Sequence, residues 1–284
     1  MKSPKISILI ANYNNGHFFK DCYDSLISQT EKDWEAIVVD DCSTDNSVEV
    51  IKTLISEDAR FRFYQNEKNL GYQRTLIKAI ELSTAEIFGR VDPDDALTIY
   101  ALELSLKAHQ ENPKAGLVYS NFKIADENLR ELSIHKGKQI LELNEDYMNF
   151  RGEISHFATF KREIYNQTSG IDAFNKRAED KDIYMKMCEV AQVKHIDEVM
   201  YLYRIHTGGA STNNNAERAL FWHFVALMKM AERRNINIED LFHQKLVRRY
   251  LFEIENRKVD LLKKNRWVKL GVKLGLVKNP ILKS

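Results

Sequence analysis

Three apolar runs in the first hundred residues each stop at carboxylates or amides, and this repeat constrains the fold more than any other feature. ISILIA (6–11) runs into Asn12-Tyr13-Asn14, WEAIVVD (34–40) runs into a second aspartate, and EIFGRV (86–91) runs into Asp92-Pro93-Asp94-Asp95. Continuous apolar runs, as opposed to alternating ones, mark strands covered on both faces. Helical patterns lie between them. Phe18, Cys22 and Leu26 share one face; Val48, Ile51 and Ile55 follow the caps Ser43, Thr44 and Asp45; Leu76, Ile77 and Ile80 follow the turn NLG (69–71). FRFYQ (61–65) and GLVYSNF (116–122) read as further strands, with a helix over 101–109 closed by Asn112-Pro113. The alternation predicts an α/β fold, with parallel strands joined by right-handed crossovers and helices on both faces of the sheet. Ligands of such sheets gather at the carboxyl ends of the strands, and all three polar clusters fall there.

Beyond residue 122 the pattern becomes mixed. FKIAD (122–126), KQILEL (138–143) and HFATF (156–160) read as strands, partly antiparallel, so the sheet is expected to be mixed but mainly parallel. A helix is expected over 179–190 and a strand over EVMYLYRIH (198–206). From residue 216 no strand is evident; residues 216–234 and 239–264 read as helical and the remainder is basic. The expectation is a main domain over 1–215 and a C-terminal helical extension over 216–284.

Composition narrows the class. At 284 residues, 44% of them hydrophobic, the chain can bury a sizeable core. Lys and Arg (42) nearly cancel Asp and Glu (41), which argues against a nucleic-acid partner. Three scattered cysteines, Cys22, Cys42 and Cys188, argue against a disulfide framework or structural zinc and for a reducing compartment. The first apolar run is too short for a signal peptide or a bilayer span, and no other run spans. The expected location is cytoplasmic, soluble or peripheral on the inner face of a membrane.

Each polar cluster has two readings. Asp92, Asp94 and Asp95 suit a hard divalent cation such as Mg²⁺ or Mn²⁺, and they equally suit a solvated turn that leads into a helix. Asp40 and Asp41 can hold a ribose hydroxyl or a base N–H, or start a helix. Glu179, Asp180 and Asp182 favour a helix N-terminus, where the dipole welcomes carboxylates, and one of them could also act as a general base. His206 can ligate a metal or serve structure, and Arg204 can face solvent or a phosphate. There is no GxGxxG, no Walker-type GKS or GKT and no GxSxG, so nicotinamide, P-loop and nucleophile-elbow chemistries lose support.

Taken in order, ISILIANYNN, VVDDCSTDNS, NLGY, GRVDPDD, AEDKDIYMKM and YRIHTGGAST resemble family 2 glycosyltransferases of the GT-A, Rossmann-like fold, over residues 5–212. The resemblance implies an inverting transferase that moves a sugar from a nucleotide diphosphate, a UDP-sugar by family habit, to an acceptor hydroxyl of a glycan or a lipid-linked acceptor. By position it implies nucleoside contacts at Tyr13, Asp40 and Asp41, and donor contacts at Arg74 and Asp92. It implies a DXD motif at Asp92 and Asp94, with Mn²⁺ or Mg²⁺ held by Asp92, Asp94 and His206, and a base at Asp180. Three departures stand out: Ala11 replaces the usual proline, Asn12 stands at a Thr or Val position, and Tyr72-Gln73-Arg74-Thr75 replaces the common Ala-Arg-Asn run. A nucleotidylyltransferase would want an Arg-containing Gly-rich loop near residue 12. A silent nucleotide-sugar or glycan binder would show a broken metal or base motif, whereas Asp92, Asp94 and Asp180 are all present.

Residues 256–284 carry nine Lys or Arg against one Asp. On a helix, Arg266, Lys269 and Lys273 share one face, and Trp267, Leu270, Leu274 and Val277 another. Such a segment reads either as a membrane-surface element or as a helix packed on the domain or on a second copy in a homodimer.

Overall fold

Strands β1 (Ile6–Asn12) and β2 (Trp34–Asp40) are buried at every residue, as their uninterrupted apolar sequences require. They lie at the centre of one half of the sheet in a computed structural model that describes residues 3–141, 153–207, 215–243 and 248–274. The other strands are β3 (Phe61–Gln65), β4 (Ile87–Arg90), β5 (Ala96–Leu97), β6 (Ala115–Ala125), β7 (Glu131–His135), β8 (Thr159–Lys161) and β9 (Gln192–Arg204). The order is β3-β2-β1-β4-β8-β6-β9-β5, with β7 on β6. From β3 to β4 the strands are parallel. β8 is antiparallel to both β4 and β6, whereas β6 and β9 are again parallel.

Alternate residues of the central strands feed two cores. On one face Ile6, Ile8, Ile10, Ala36 and Val38 meet Phe19, Cys22 and Leu26 of α1 (Phe19–Ile27), Ile51 of α2 (Ser47–Ile55) and Leu102 of α4 (Ala101–Glu111). On the other, Leu9 and Phe88 meet Leu76 and Ile80 of α3 (Tyr72–Leu82), Tyr165 of α5 (Arg162–Tyr165) and Tyr184 of α6 (Glu179–Val190). Helices therefore cover both faces. The remaining helices are α7 (Ala216–Arg234), α8 (Glu239–Phe242), α9 (Arg248–Lys264) and α10 (Arg266–Lys273). The chain forms two compact units, Met1–Met230 and Ala231–Ser284, and α7 runs across the boundary.

The register levels the polar clusters. Asn12 pairs with Asp40 across β1 and β2, and Leu9 pairs with Arg90 across β1 and β4, so Asp92 stands beside the ends of its neighbours. The second half departs from its sequence pattern. GLVYSNF and FKIAD form one eleven-residue strand, β6. β9 starts at Gln192, six residues earlier than its apolar run, because the stretch 192–196 is held by pairing with β6 and not by hydrophobic alternation. Only the last residues of HFATF are strand, residues 138–141 are not, and residues 142–143 of KQILEL lie outside the described residues. The 239–264 stretch contains α8 and α9, with residues 244–247 outside the described ones.

The loop after β1 is fixed to α2 by a close approach. Gly16 donates its N–H to Ser47 Oγ at 2.8 Å, and a Cβ on Gly16 would lie 2.4 Å from Ser47 Cα. Backbone must move to admit it, so Gly16→Ala should lower stability by about 1–3 kcal/mol, as overpacking does. Urea unfolding measures this; an unchanged midpoint would show that the approach does not hold the loop.

Candidate active site

The site is built from what the strand ends do with their carboxylates. Asp40 is fully buried. It accepts hydrogen bonds from Asn12 Nδ2 at 2.8 Å, Ser43 N at 2.9 Å and Ser43 Oγ at 2.5 Å, and so ties the ends of β1 and β2 together. Asp41 accepts three bonds at 2.8 Å, from Asn66 Nδ2, Leu70 N and Gly71 N. The NLG turn folds over Asp41 because Gly71 takes φ of 88°, which lets the successive amides converge on one carboxylate.

The triplet 92–95 divides its labour. Asp95 is 2% exposed and bonded to Tyr201 Oη at 2.7 Å and to the backbone N–H of Arg204 at 2.7 Å. Arg204 is buried at the edge of the cleft and its guanidinium is committed to protein partners: its Nε donates to the Asp94 carbonyl at 2.6 Å and its Nη2 to Asp21 Oδ2 at 2.6 Å. Asp92 accepts from Tyr72 Oη at 2.6 Å, and Asp94 Oδ2 lies 2.8 Å from His206 Nε2. Burial raises the Asp94 carboxyl from its ordinary value, the Asp92 charge raises it further, and His206 only partly offsets them. Asp95 is pushed up by burial and by the charges of Asp94 and Asp92.

A second acidic group arrives from α6. Ala178, at φ of 58°, turns the chain into that helix and delivers Glu179 and Asp180. Glu179 is paired with Arg90, Oε1 to Nη1 at 2.6 Å, and Arg90 Nη1 also reaches Tyr72 Oη at 3.0 Å. A longer ion pair of 3.8 Å joins Arg90 to Asp92. The Arg90 and Glu179 side chains are each 12% exposed. One guanidinium thus links the end of β4 to the start of α6. Burial raises the Glu179 carboxyl, with Asp180 adding to it against the pull of Arg90. Burial opposes ionisation of Asp180 as well, yet Lys181 and Arg90 outweigh it and hold that carboxyl below the ordinary value. A pair of carboxylates with environments that push them apart is the pattern expected of acid–base sites.

These elements enclose a cleft of about 800 Å³ at the carboxyl ends of the strands. Tyr13, Asp41, Asp92, Asp94 and Asp180 all line it. Asp40 lies below its floor, and Arg74 is exposed on α3 and does not line it. His206 does not line it but is bonded to Asp94, which does, and Gly208-Gly209, which follow His206, lie outside the described residues. Residues without a sequence signal also line the cleft: Arg90, Tyr72, His156, Lys176, Arg177 and Lys181. His156 stacks on Tyr201 at 4.8 Å, and burial lowers its imidazole to about 4, so it is neutral at pH 7. Ala219, Leu220 and His223 of α7 close one wall. That part of α7 is anchored to the loop before α6 by Lys229 on Asp172 at 2.6 Å and by an edge contact between Phe174 and Trp222.

The donors Asp92 and Asp94 after β4 and His206 after β9 fit a hard divalent cation in kind. They comprise two carboxylates and an imidazole nitrogen, and Asp94 is penalised as an anion where a positive charge is lacking. Among the described residues no three ligands yet stand in a metal-holding arrangement.

Comparison with known proteins agrees with this geometry. A family model described as "Glycosyl transferase family 2" matches residues 7–168. A chondroitin synthase of Pasteurella multocida is 27% identical over 92% of this chain, and a hyaluronan synthase of the same species is 27% identical over 92%. The chain spans about a quarter of the length of these relatives, 27% in each case. Among solved structures, S. aureus TarS 1–349 in complex with UDP superposes with a TM-score of 0.66 at 18% identity, over 91% of this chain and 78% of that one. The mannosyltransferase PcManGT from Pyrobaculum calidifontis, in complex with GDP-Man and Mn²⁺, gives 0.62 at 16% identity, over 81% and 65%.

Because Arg90 neutralises a buried carboxylate, Arg90→Gln should cost about 3–5 kcal/mol of stability, the typical penalty for breaking a buried ion pair. Adding Glu179→Gln should return much of that loss. A double-mutant cycle by urea unfolding checks this; additive losses would show that the pair is not coupled.

Proposed function

The chain belongs to glycosyl transferase family 2, and we propose that it moves a sugar from a UDP-sugar to a hydroxyl of a glycan or lipid-linked acceptor, inverting the anomeric carbon. The observation that carries this reading is the single cleft lined by Tyr13 and Asp41 at one strand end, Asp92 and Asp94 at another, and Asp180 at the start of α6. The complexes of TarS with UDP and UDP-GlcNAc support a nucleotide-sugar donor. PcManGT carries guanosine, so uridine rests on the likeness to TarS. The chondroitin and hyaluronan synthases among the relatives support a glycan acceptor.

In this reading Tyr13 and Asp41 receive the nucleoside, and Asp92, steadied by Tyr72 and Arg90, lies against the ribose or the sugar. Asp94 and His206 would hold Mn²⁺ or Mg²⁺, which when bound supplies positive charge to the departing diphosphate. Asp180 accepts the proton of the acceptor hydroxyl while that oxygen bonds to the anomeric carbon and the bond to the diphosphate breaks with its electron pair. Arg90 and Lys181 keep Asp180 ionised, which is the state a base needs.

A thermal-shift panel of nucleotide sugars, each with Mn²⁺ and with chelator, tests the donor class, since a ligand that binds the folded state raises its apparent stability. UDP-sugars should stabilise, and chelator should abolish both the shift and slow donor hydrolysis. A panel in which no nucleotide sugar shifts the transition and none is hydrolysed would overturn the reading.

Asp180→Asn should leave donor binding intact and lower turnover by about 10²–10⁴. A rate equal to wild type would remove Asp180 from the chemistry. The pH dependence follows from the sign of the shift. A depressed carboxyl stays ionised below the ordinary Asp range, so activity should hold there and fall only as pH drops through the depressed value. Arg90→Gln removes one of the depressing charges, so the acid limb of kcat should move to higher pH; an unmoved limb would place the titration elsewhere.

A further inference from the structure

Helix α10 presents a membrane-like division of chemistry that the transfer reaction does not use. Asn265 breaks the chain away from α9 and caps the new helix, accepting the N–H of Trp267 at 2.9 Å. At 100° per residue Trp267, Leu270 and Leu274 fall within about 60° of one another, and Arg266, Lys269 and Lys273 fall within a separate arc of similar width. The apolar arc is open: Trp267 is 79% exposed, Leu274 61% and Leu270 44%. The three cations form no ion pair among the described residues. They belong to the stretch 256–284, where nine Lys or Arg face a single Asp. No helix among the described residues is long and apolar enough to cross a membrane.

We propose that α10 docks this protein on an anionic lipid surface, lying flat with Trp267, Leu270 and Leu274 in the headgroup region and Arg266, Lys269 and Lys273 against lipid phosphates and carboxylates. The charge distribution selects this occupant. A two-fold contact between copies would set like-charged arcs beside each other, because each patch meets itself. An anionic bilayer supplies a continuous negative surface that rewards every cation. Indole, with an apolar body and one N–H, suits the boundary between acyl chains and water. The proposal stands apart from the reaction above, since none of these residues lines the cleft.

The test uses the full chain with vesicles of phosphatidylcholine alone and of phosphatidylcholine mixed with phosphatidylserine, which gives the surface its negative charge. The wild type should sediment with the anionic vesicles and stay in solution with the neutral ones, and salt should release it. Arg266→Gln, Lys269→Gln and Lys273→Gln together should weaken partitioning about a hundredfold, at about fivefold for each cation. Trp267→Ser with Leu270→Ser, which keeps every charge, should also release the protein. These positions are exposed, so the variants should fold, and circular dichroism checks that they do. Wild-type protein left in solution with anionic vesicles, or variants that sediment as well as wild type, would overturn the proposal. So would light scattering that shows a dimer lost in the Trp267→Ser, Leu270→Ser variant with lipid binding unchanged, which would make the face a contact between copies.

Discussion

The guanidinium of Arg90 is the contact on which the site depends. It sits where β4 ends and α6 begins, between Glu179, Tyr72 and Asp92. Without a fixed cation there, the carboxylates of the DPDD turn and of the α6 N-terminus would face one another across a poorly solvated gap, and their repulsion would oppose closure of the cleft. With it, β4 and α6 are held at a set distance and Asp180 is biased toward its ionised form; Arg90 pulls Glu179 the same way, but burial and the Asp180 charge outweigh that pull and leave the Glu179 carboxyl raised. One side chain therefore couples the architecture of the cleft to the protonation states inside it.

Arg204 does comparable work on the far side of the turn. It crosses from the end of β9 to the Asp94 carbonyl, the Glu127 carbonyl and Asp21, while its own N–H and Tyr201 satisfy Asp95. Three adjacent acids thus acquire three different environments. Asp95 is buried and hydrogen-bonded at both oxygens, Asp92 is held by a tyrosine, and Asp94 is held by a histidine while remaining penalised as an anion. Burying charged groups is tolerated only when partners are supplied, and the supply here is uneven.

The first half of the chain was readable because strands covered on both faces leave continuous apolar runs, and β1, β2 and β4 fall where ISILIA, WEAIVVD and EIFGRV predict. The second half was less readable. β9 passes through Lys194, His195, Asp197 and Glu198, and it is pairing with β6 on either side of an irregularity at Asp197 and Glu198 that carries the strand through this polar stretch. Among the candidate site residues, Tyr13, Asp41, Asp92, Asp94 and Asp180 were legible as polar residues at strand or helix ends, and all five line one cleft. Asp40, adjacent to Asp41 and chemically identical, is closed off by Asn12 and Ser43. Arg74 had the right charge and lies outside the cleft, whereas Arg90, inside an apolar run, gave no local signal.

By itself the amino-acid order determined which segments are buried strands, that carboxylates would crowd their carboxyl ends, and that residues 256–284 would be basic and amphipathic. These properties are local: periodicity, chain direction and charge are carried by neighbouring residues. Only the tertiary structure decided which carboxylate keeps its charge, which is consumed as a structural tie, and which cations from β4, β9 and α6 stand beside them. Protonation and accessibility depend on what approaches from distant parts of the chain, and Coulomb interactions and desolvation follow distance in space, with no reference to distance along the sequence.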